Sequence, residues 1–288
     1  MTKPNTTRSR IHPGQFNGFQ RFTAFSCALL LSIFCLGTLS VQAAGGGGEK
    51  GRVFKGPMAK MSTVRITVLT SGKSTDTVTD AEGQYEIPAQ VDDEIVQVRA
   101  RGKFFDEKTG KITKTPVTLT AIAHHRTGDV APDVNIISHL VAIRANALAG
   151  FGARGPFVTI VMPMVFPDAE DHVADALDVA LSRIPKGKMT GVNLSDEGSL
   201  GQARVIHVSL VVSQAANKRA RSAGIGPGKA AQLLLNDMSR DIAGYGRFSP
   251  AIISELRAAE KTMDGAAMLM NLVDAYGIGE DLLDDYLP

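Results

Sequence analysis

The sequence predicts an α+β protein in which an N-terminal all-β sandwich is followed by a C-terminal all-α helical domain. Two observations predict it. Between about residues 51 and 137 apolar residues alternate with polar ones, punctuated by glycine turns; after Pro132 the apolar period changes from two to 3.6.

Residues 1–43 precede this pattern and read as a secretory signal peptide. They carry Lys3, Arg8, Arg10 and Arg21 but no acid, then the apolar run Phe22 to Leu39, then Val41-Gln42-Ala43, whose small residues suit cleavage after Ala43. The alternative is a retained anchor, but an apolar run broken by Gly37 and several Ser and Thr is marginal for a span. Both cysteines, Cys27 and Cys35, lie in this segment. Cleavage leaves a chain without thiol or disulfide, and Phe34 disfavours lipid attachment at Cys35. Four of the 31 basic residues leave with the signal against none of the 29 acids, so the remainder is slightly acidic and has no basic field for nucleic acid. Residues 44–50 form a Gly-rich leader, where four glycines without a Cβ have no packing to offset lost entropy.

The sandwich is expected over 51–137. Val64, Ile66 and Val68 alternate with Arg65 and Thr67; Ile95, Val96 and Val98 precede Arg99; Val117, Leu119 and Ala121 alternate with Thr118 and Thr120. Turns at Ser71-Gly72, Asp80 to Gly83, Asp92-Asp93 and Lys108 to Gly110 space these runs as in a sandwich of antiparallel strands. Its expected core is Val64, Ile66, Val68, Tyr85, Ile87, Val96, Val98, Leu119 and Ile122.

The helical domain is expected over 138–288. Leu140, Val141, Ile143, Ala147 and Leu148 mark a first helix, and Val173, Leu177, Ala180, Leu181 and Ile184 a second. Ile252, Leu256, Ala259 and Met263 mark another, started by Ser249-Pro250 with the serine as cap. Leu269, Leu272, Val273 and Tyr276 mark one closed by Gly277 in the left-handed conformation. Arg204 to Val212 has strand-like Val and Ile, but its continuation to Ala220 favours a helix. Phe157 to Phe166, FVTIVMPMVF, is interrupted by Pro163 and is read as a buried extended segment or an interface.

Gly51-Arg-Val-Phe-Lys-Gly-Pro57, STVRITVLT, TVTDAEGQYEIP, VQVRARGKFFDEKTGK and TPVTLTAI together resemble the carboxypeptidase regulatory-like domains, transthyretin-like or Ig-like β-sandwiches of exported bacterial cell-envelope proteins. The resemblance covers roughly residues 51–148 and includes Asn135-Ile-Ile-Ser-His-Leu140 leading into a helix. It implies a non-catalytic accessory or surface module, of a type sometimes classed with carbohydrate-binding-like folds, and supplies no catalytic residues.

The motifs that carry chemistry elsewhere are incomplete here. A calcium loop around Asp80, Glu82 and Gly83 has Val78 and Ala89 at its first and last ligand positions, so the stretch reads as a hairpin turn. His124 and His125, with Asp129 and Asp133 nearby, are the remaining metal candidates, although adjacent strand residues point to opposite faces. Gly224 to Lys229 lacks the hydroxyl residue of a phosphate loop, since Ala230 follows the lysine, and reads as a loop opening a helix. There is no Gly-x-Ser-x-Gly elbow and no His-Glu-x-x-His pair. His139, His172 and His207 are isolated in sequence; a hydrolase would need histidines and carboxylates to converge in space.

These readings lead to an exported protein, periplasmic, cell-surface or extracellular, with no cofactor and no enzyme activity, acting as a structural or protein-contact module. The alternative is a carbohydrate-binding module, weakened by the absence of Trp and the presence of only four Tyr. An envelope protein or a polysaccharide is the expected partner, nucleic acid is not, and no stable membrane span is expected after signal cleavage.

Overall fold

The computed structural model describes residues 50–150, 155–184 and 199–283, all within one structural unit; residues 1–43, expected as a signal peptide, and most of the expected Gly-rich leader lie outside the described residues. The strands are β1 (Gly51–Phe54), β2 (Thr63–Val68), β3 (Ser74–Val78), β4 (Gln84–Tyr85), β5 (Glu94–Gly102), β6 (Phe105–Asp106), β7 (Lys111–Ile112), β8 (Val117–His125) and β9 (Val134–Asn135). The helices are α1 (Ile136–Leu148), α2 (Val158–Ala180), α3 (Leu200–Ala223), α4 (Pro227–Tyr245), α5 (Pro250–Thr262) and α6 (Gly265–Tyr276), followed by a short 3-10 turn.

The alternating runs form one antiparallel sheet in the order β3-β2-β5-β8. Its register sets Val64 opposite Ala100 and Ile66 opposite Val98, and these in turn opposite Leu119 and Ala121, so across β2, β5 and β8 these six residues form an apolar, buried face. The other face carries Arg65 and Arg99, opposite each other, and Asp76, which takes a bidentate contact from Arg65 at 2.7 and 2.8 Å. Ile122 was expected in the same core as Leu119, yet it is an odd number of residues away and so faces the opposite side, where it is buried beside Met162, Pro163 and Phe166 of α2. Val68 and Ile87 are only partly buried against the core.

A second, smaller sheet has the order β4-β1-β9. β1 runs antiparallel to β4 but parallel to β9, so the expectation of antiparallel strands throughout fails at that pair. A parallel neighbour needs a long crossover, and here the whole of β2 to β8 supplies it. The TVTDAEGQYEIP stretch is likewise not a hairpin between paired strands: β3 belongs to the larger sheet and β4 to the smaller. It is a corner, closed by Asp80, whose carboxylate accepts from the amides of Glu82 (3.1 Å) and Gln84 (2.8 Å). Gly83, at φ +75°, completes the turn where a Cβ would crowd the Met58 and Val53 backbones. Lys50 pairs with Asp80 at 3.0 Å.

Asn135 ends β9 and caps α1, with a reciprocal bond pair: its side chain accepts from the Ser138 amide (2.9 Å), and the Ser138 hydroxyl accepts from the Asn135 amide (2.8 Å). The strand therefore runs straight into the helix, and the strands and helices share one continuous apolar core.

FVTIVMPMVF is helical, not extended. Pro163 and Pro167 lie inside α2, each removing a backbone bond at a cost of about 3 kcal/mol in a helix interior. Val158, Met162, Ala169, Val173, Ala176, Leu177 and Ala180 are all buried at helical spacing, and that continuous apolar face outweighs the local penalty.

Arg204 to Val212 is helical as expected, within α3. Every residue from Arg204 to Ala216 is buried, which makes α3 the central helix. Its polar residues are consequently matched one by one. Ser209 and Ser213 meet Lys55 and Glu107 from the β-region; His207 meets Glu260 of α5 at 2.9 Å; Arg204 meets Asp178 of α2 at 3.1 Å. Glu260 also accepts from the Ser182 amide (2.8 Å), the Ser182 hydroxyl (2.7 Å) and the Arg183 amide (2.9 Å). Burial alone would raise the pKa of this carboxyl, but His207 and those three donors outweigh it and bring it down to about 2. At the start of α5 the structure departs from the expected cap. The Ser249 side chain makes no capping bond; its amide instead donates to Asp241 at 2.8 Å.

His139 of α1 is buried against α4, with Nε2 3.1 Å from the Ser239 hydroxyl and Nδ1 lacking a partner. Burial lowers its pKa from 6.5 to about 4. Between those values the unfolded chain takes up a proton that the folded chain excludes, so stability falls as pH drops through that window. The loss is about 3 kcal/mol at most. Glu260 has the opposite protonation chemistry but the same direction with pH, its contribution being lost below about 4.5 and gone near 2. Urea unfolding of the wild type should therefore weaken steadily from pH 6.5 to 4, and His139→Gln should flatten that interval while leaving the steeper loss at lower pH; an unchanged slope would remove His139 as its source.

Candidate binding cleft

A cleft of about 750 Å³ opens between α2, the turn after α4 and the first turn of α5. Three elements build it. From α2 come His172, Asp175, Ala176 and Val179, one helical face by their spacing. From the turn come Tyr245, Gly246, Arg247, Phe248 and Ser249, and from α5 come Pro250 and Ile253.

The turn is tight because α4 ends in Gly246 at φ +65°, whose amide donates to the Ile242 carbonyl. A Cβ at this position would sit 3.1 Å from Arg144 Nη2 and from the His172 ring, so the chain passes directly over that pair. Arg144 reaches from α1 and donates from Nε to His172 Nδ1 at 3.2 Å and from Nη1 to the Ala243 carbonyl at 3.0 Å. The second bond places a cation at the carbonyl end of α4, where the helix dipole favours it. The first requires a lone pair on Nδ1, which puts the His172 ring hydrogen on Nε2.

The floor is apolar, with Phe248 buried and Ala176 and Ile253 beside it; the rim is polar, and Tyr245 stands 76 % exposed. Asp175 and Arg247 are exposed and have no ion-pair partner among the described residues. Opposite charges thus sit free at one opening, with the unused hydroxyl of Ser249 nearby.

The other sequence candidates are placed elsewhere. His124 and His125 lie on opposite faces of β8: His124 contacts Asp93 at 3.2 Å, whereas His125 is buried and has its pKa lowered by desolvation. Asp129 accepts from the Arg126 amide at 3.2 Å in the following turn. Among the described residues no three His, Cys, Asp or Glu side chains are grouped to hold a metal ion. His124, His139, His172 and His207 bond respectively to Asp93, Ser239, Arg144 and Glu260, so the convergence that a histidine hydrolase needs is not found among them. Lys55 Nζ lies 2.8 Å from Ser213 Oγ, a base beside a hydroxyl, but both are wholly buried and the serine is already bonded to Glu107.

A second accessible feature is the first half of α2. Phe157, at its N-cap, and Ile160 and Met164 recur at helical spacing and are 73 %, 61 % and 72 % exposed. No charged residue occurs from Gly155 to Pro167. Among the described residues no helix is long and apolar enough to cross a membrane.

No local pattern marks Arg144, Asp175, Tyr245 or Arg247 as site residues, and Ser249 has only the position of a cap. The one local signal is Gly-Arg-Phe-Ser-Pro, a helix stop directly followed by a helix start, which marks a sharp corner. Comparison with family models, curated proteins and solved structures gave no significant match.

Nitrogen NMR of the histidines checks the cleft directly: His172 should carry its hydrogen on Nε2 with Nδ1 unprotonated, and Arg144→Met should return it to the tautomer mixture of a free imidazole. A protonated Nδ1 in the wild type would contradict the Arg144 contact.

Proposed function

We propose that the protein is an exported cell-envelope module that works by contact, on a scaffold of the carboxypeptidase regulatory-like, transthyretin-like type. One observation carries the reading: three large apolar side chains, Phe157, Ile160 and Met164, stand exposed along an uncharged helical segment. Solvent-exposed apolar groups gathered in this way are a feature of interaction surfaces.

The occupant that fits is a second copy of the same segment. Two α2 helices packed antiparallel about Ile160 bury the three side chains of each copy against those of the other, with no like charges brought together. Beyond Pro167 the helix turns acidic, with Asp168, Glu170 and Asp171. In the antiparallel arrangement these acids lie at opposite ends of the pair, past the start of the partner's α2, so the two acidic stretches do not meet. The interface is thus of the two-fold, self-complementary kind.

Sedimentation equilibrium over a wide concentration range tests this. The wild type should form a dimer, and Ile160→Glu should be monomeric, with the melting temperature that the wild type shows when diluted below its dimerisation range, since that side chain contributes little to the core. A wild type that stays monomeric throughout, or a dimer indifferent to Ile160→Glu, would overturn the reading.

A further inference from the structure

We infer that the cleft between α2 and the α4–α5 turn is a binding site for a neutral oligosaccharide. The inference is independent of the α2 contact surface and goes beyond it.

Size is the first argument. At about 750 Å³ the cleft falls within the range of ligand pockets, roughly 300–1,000 Å³, and suits a short oligosaccharide better than a single ring. The second argument is the division of its lining. A sugar ring offers a face of C–H groups and an edge of hydroxyls, each able to donate and accept. The cleft matches both, with an apolar floor at Ala176, Phe248 and Ile253 and, among its lining residues, an acceptor in Asp175 and donors in His172 and Arg247.

Charge decides between ligand classes. Asp175 and Arg247 are both exposed, of opposite sign and unpaired among the described residues, so an anion meets one repulsive group and a cation meets the other. A neutral ligand with many hydroxyls satisfies both: it donates to the carboxylate and accepts from the guanidinium, and charge-assisted bonds of this kind are the stronger ones. His172 adds a donor of known placement, because Arg144 occupies Nδ1 and leaves the hydrogen on Nε2. The Ser249 hydroxyl, free of any capping bond, can act either way.

Tyr245 supplies the platform. An aromatic ring that is 76 % exposed at the lip of a cleft has lost little water in the free protein and has an open face to offer. It stands on the last turn of α4, whose backbone is held by the Gly246 cap and the Arg144 contact to Ala243, so the segment that carries the ring is set before a ligand arrives.

Isothermal titration calorimetry with cellobiose, N,N′-diacetylchitobiose and maltotriose tests the site, with inorganic phosphate and galacturonate as charged probes. At least one neutral probe should bind. Tyr245→Ala and Asp175→Asn should each weaken it by about tenfold, with the melting temperature retained because both side chains are exposed. Ile160→Glu should leave the affinity unchanged, which separates this site from the contact surface. Retention on the insoluble polymer of the same sugar would identify a polysaccharide as the source, and binding of the free oligosaccharide alone a soluble one. Heat from phosphate or galacturonate only, no binding of any neutral probe, or affinity indifferent to both cleft variants would overturn the assignment.

Discussion

Lys55 and Glu107 form an ion pair with no solvent exposure, and the joining of strands to helices depends on it. Taking two charges out of water is costly, and attraction between them offsets that only when every remaining donor and acceptor is used. Here they are used. Lys55 contacts Glu107 (3.3 Å), Ser213 Oγ (2.8 Å) and the Ser209 carbonyl (3.4 Å), and lies 4.9 Å from the Phe104 ring centre. Each Glu107 oxygen accepts from a serine, Ser209 on one side and Ser213 on the other, while the Gly56 amide donates to Ser209 Oγ at 3.1 Å. The neighbouring acid, Asp106, accepts from Asn217 at 3.1 Å. Ser209, Ser213 and Asn217 are spaced four apart on α3, so a single stripe of the central helix reads the β1–β2 loop and the β6–β7 turn together. Asn271 of α6 donates to the Glu107 carbonyl at 2.9 Å, and Tyr276 meets the Phe105 ring edge-on at 5.3 Å, which brings the last helix onto the same turn.

The remaining polar residues of α3 are used in the same way on its other sides. His207 and Gln214 face α5, Arg204 faces α2, and Arg219 bridges Asp237 of α4 and Glu255 of α5. Residue types that suggest chemistry in sequence, including histidines, serines beside a lysine and a carboxylate, are here committed to positioning helices. The uncommitted chemistry lies at the surface, in the rim of the cleft and the apolar stripe of α2. This division between a largely matched interior and an unmatched surface is what supports the contact and binding roles proposed for the chain.

Local signals in the sequence were legible where one interaction decides the outcome. Period-two alternation set the faces of β2, β5 and β8, and Gly277 takes the left-handed cap of α6 at φ +64°. They failed where distant burial overrides a local rule. Pro163 argued against a helix, but the apolar spacing from Val158 to Ala180 wins once the core is present. The Asp80 turn carried every hairpin signal, yet such signals describe the turn and not which sheet each arm joins. The cleft was illegible for another reason: Arg144, His172 and Tyr245 come from three helices and have no common spacing. The stripe Ser209, Ser213, Asn217 was visible in principle, as polar residues four apart in a mostly apolar run, whereas the helix expected for Arg204 to Val212 rested on the composition of its continuation to Ala220.

The dependence of the whole unit on the buried pair is tested most directly by a double-mutant cycle in denaturant, with Lys55→Met, Glu107→Gln and the two combined. Each single change strands a buried group and should cost about 3–5 kcal/mol, whereas the combined change leaves neither charge behind and should cost clearly less than the sum. All four proteins that fold should unfold in one transition, strands and helices together. Additive single effects of less than about 1 kcal/mol, or separate transitions for strands and helices in the wild type, would contradict the account.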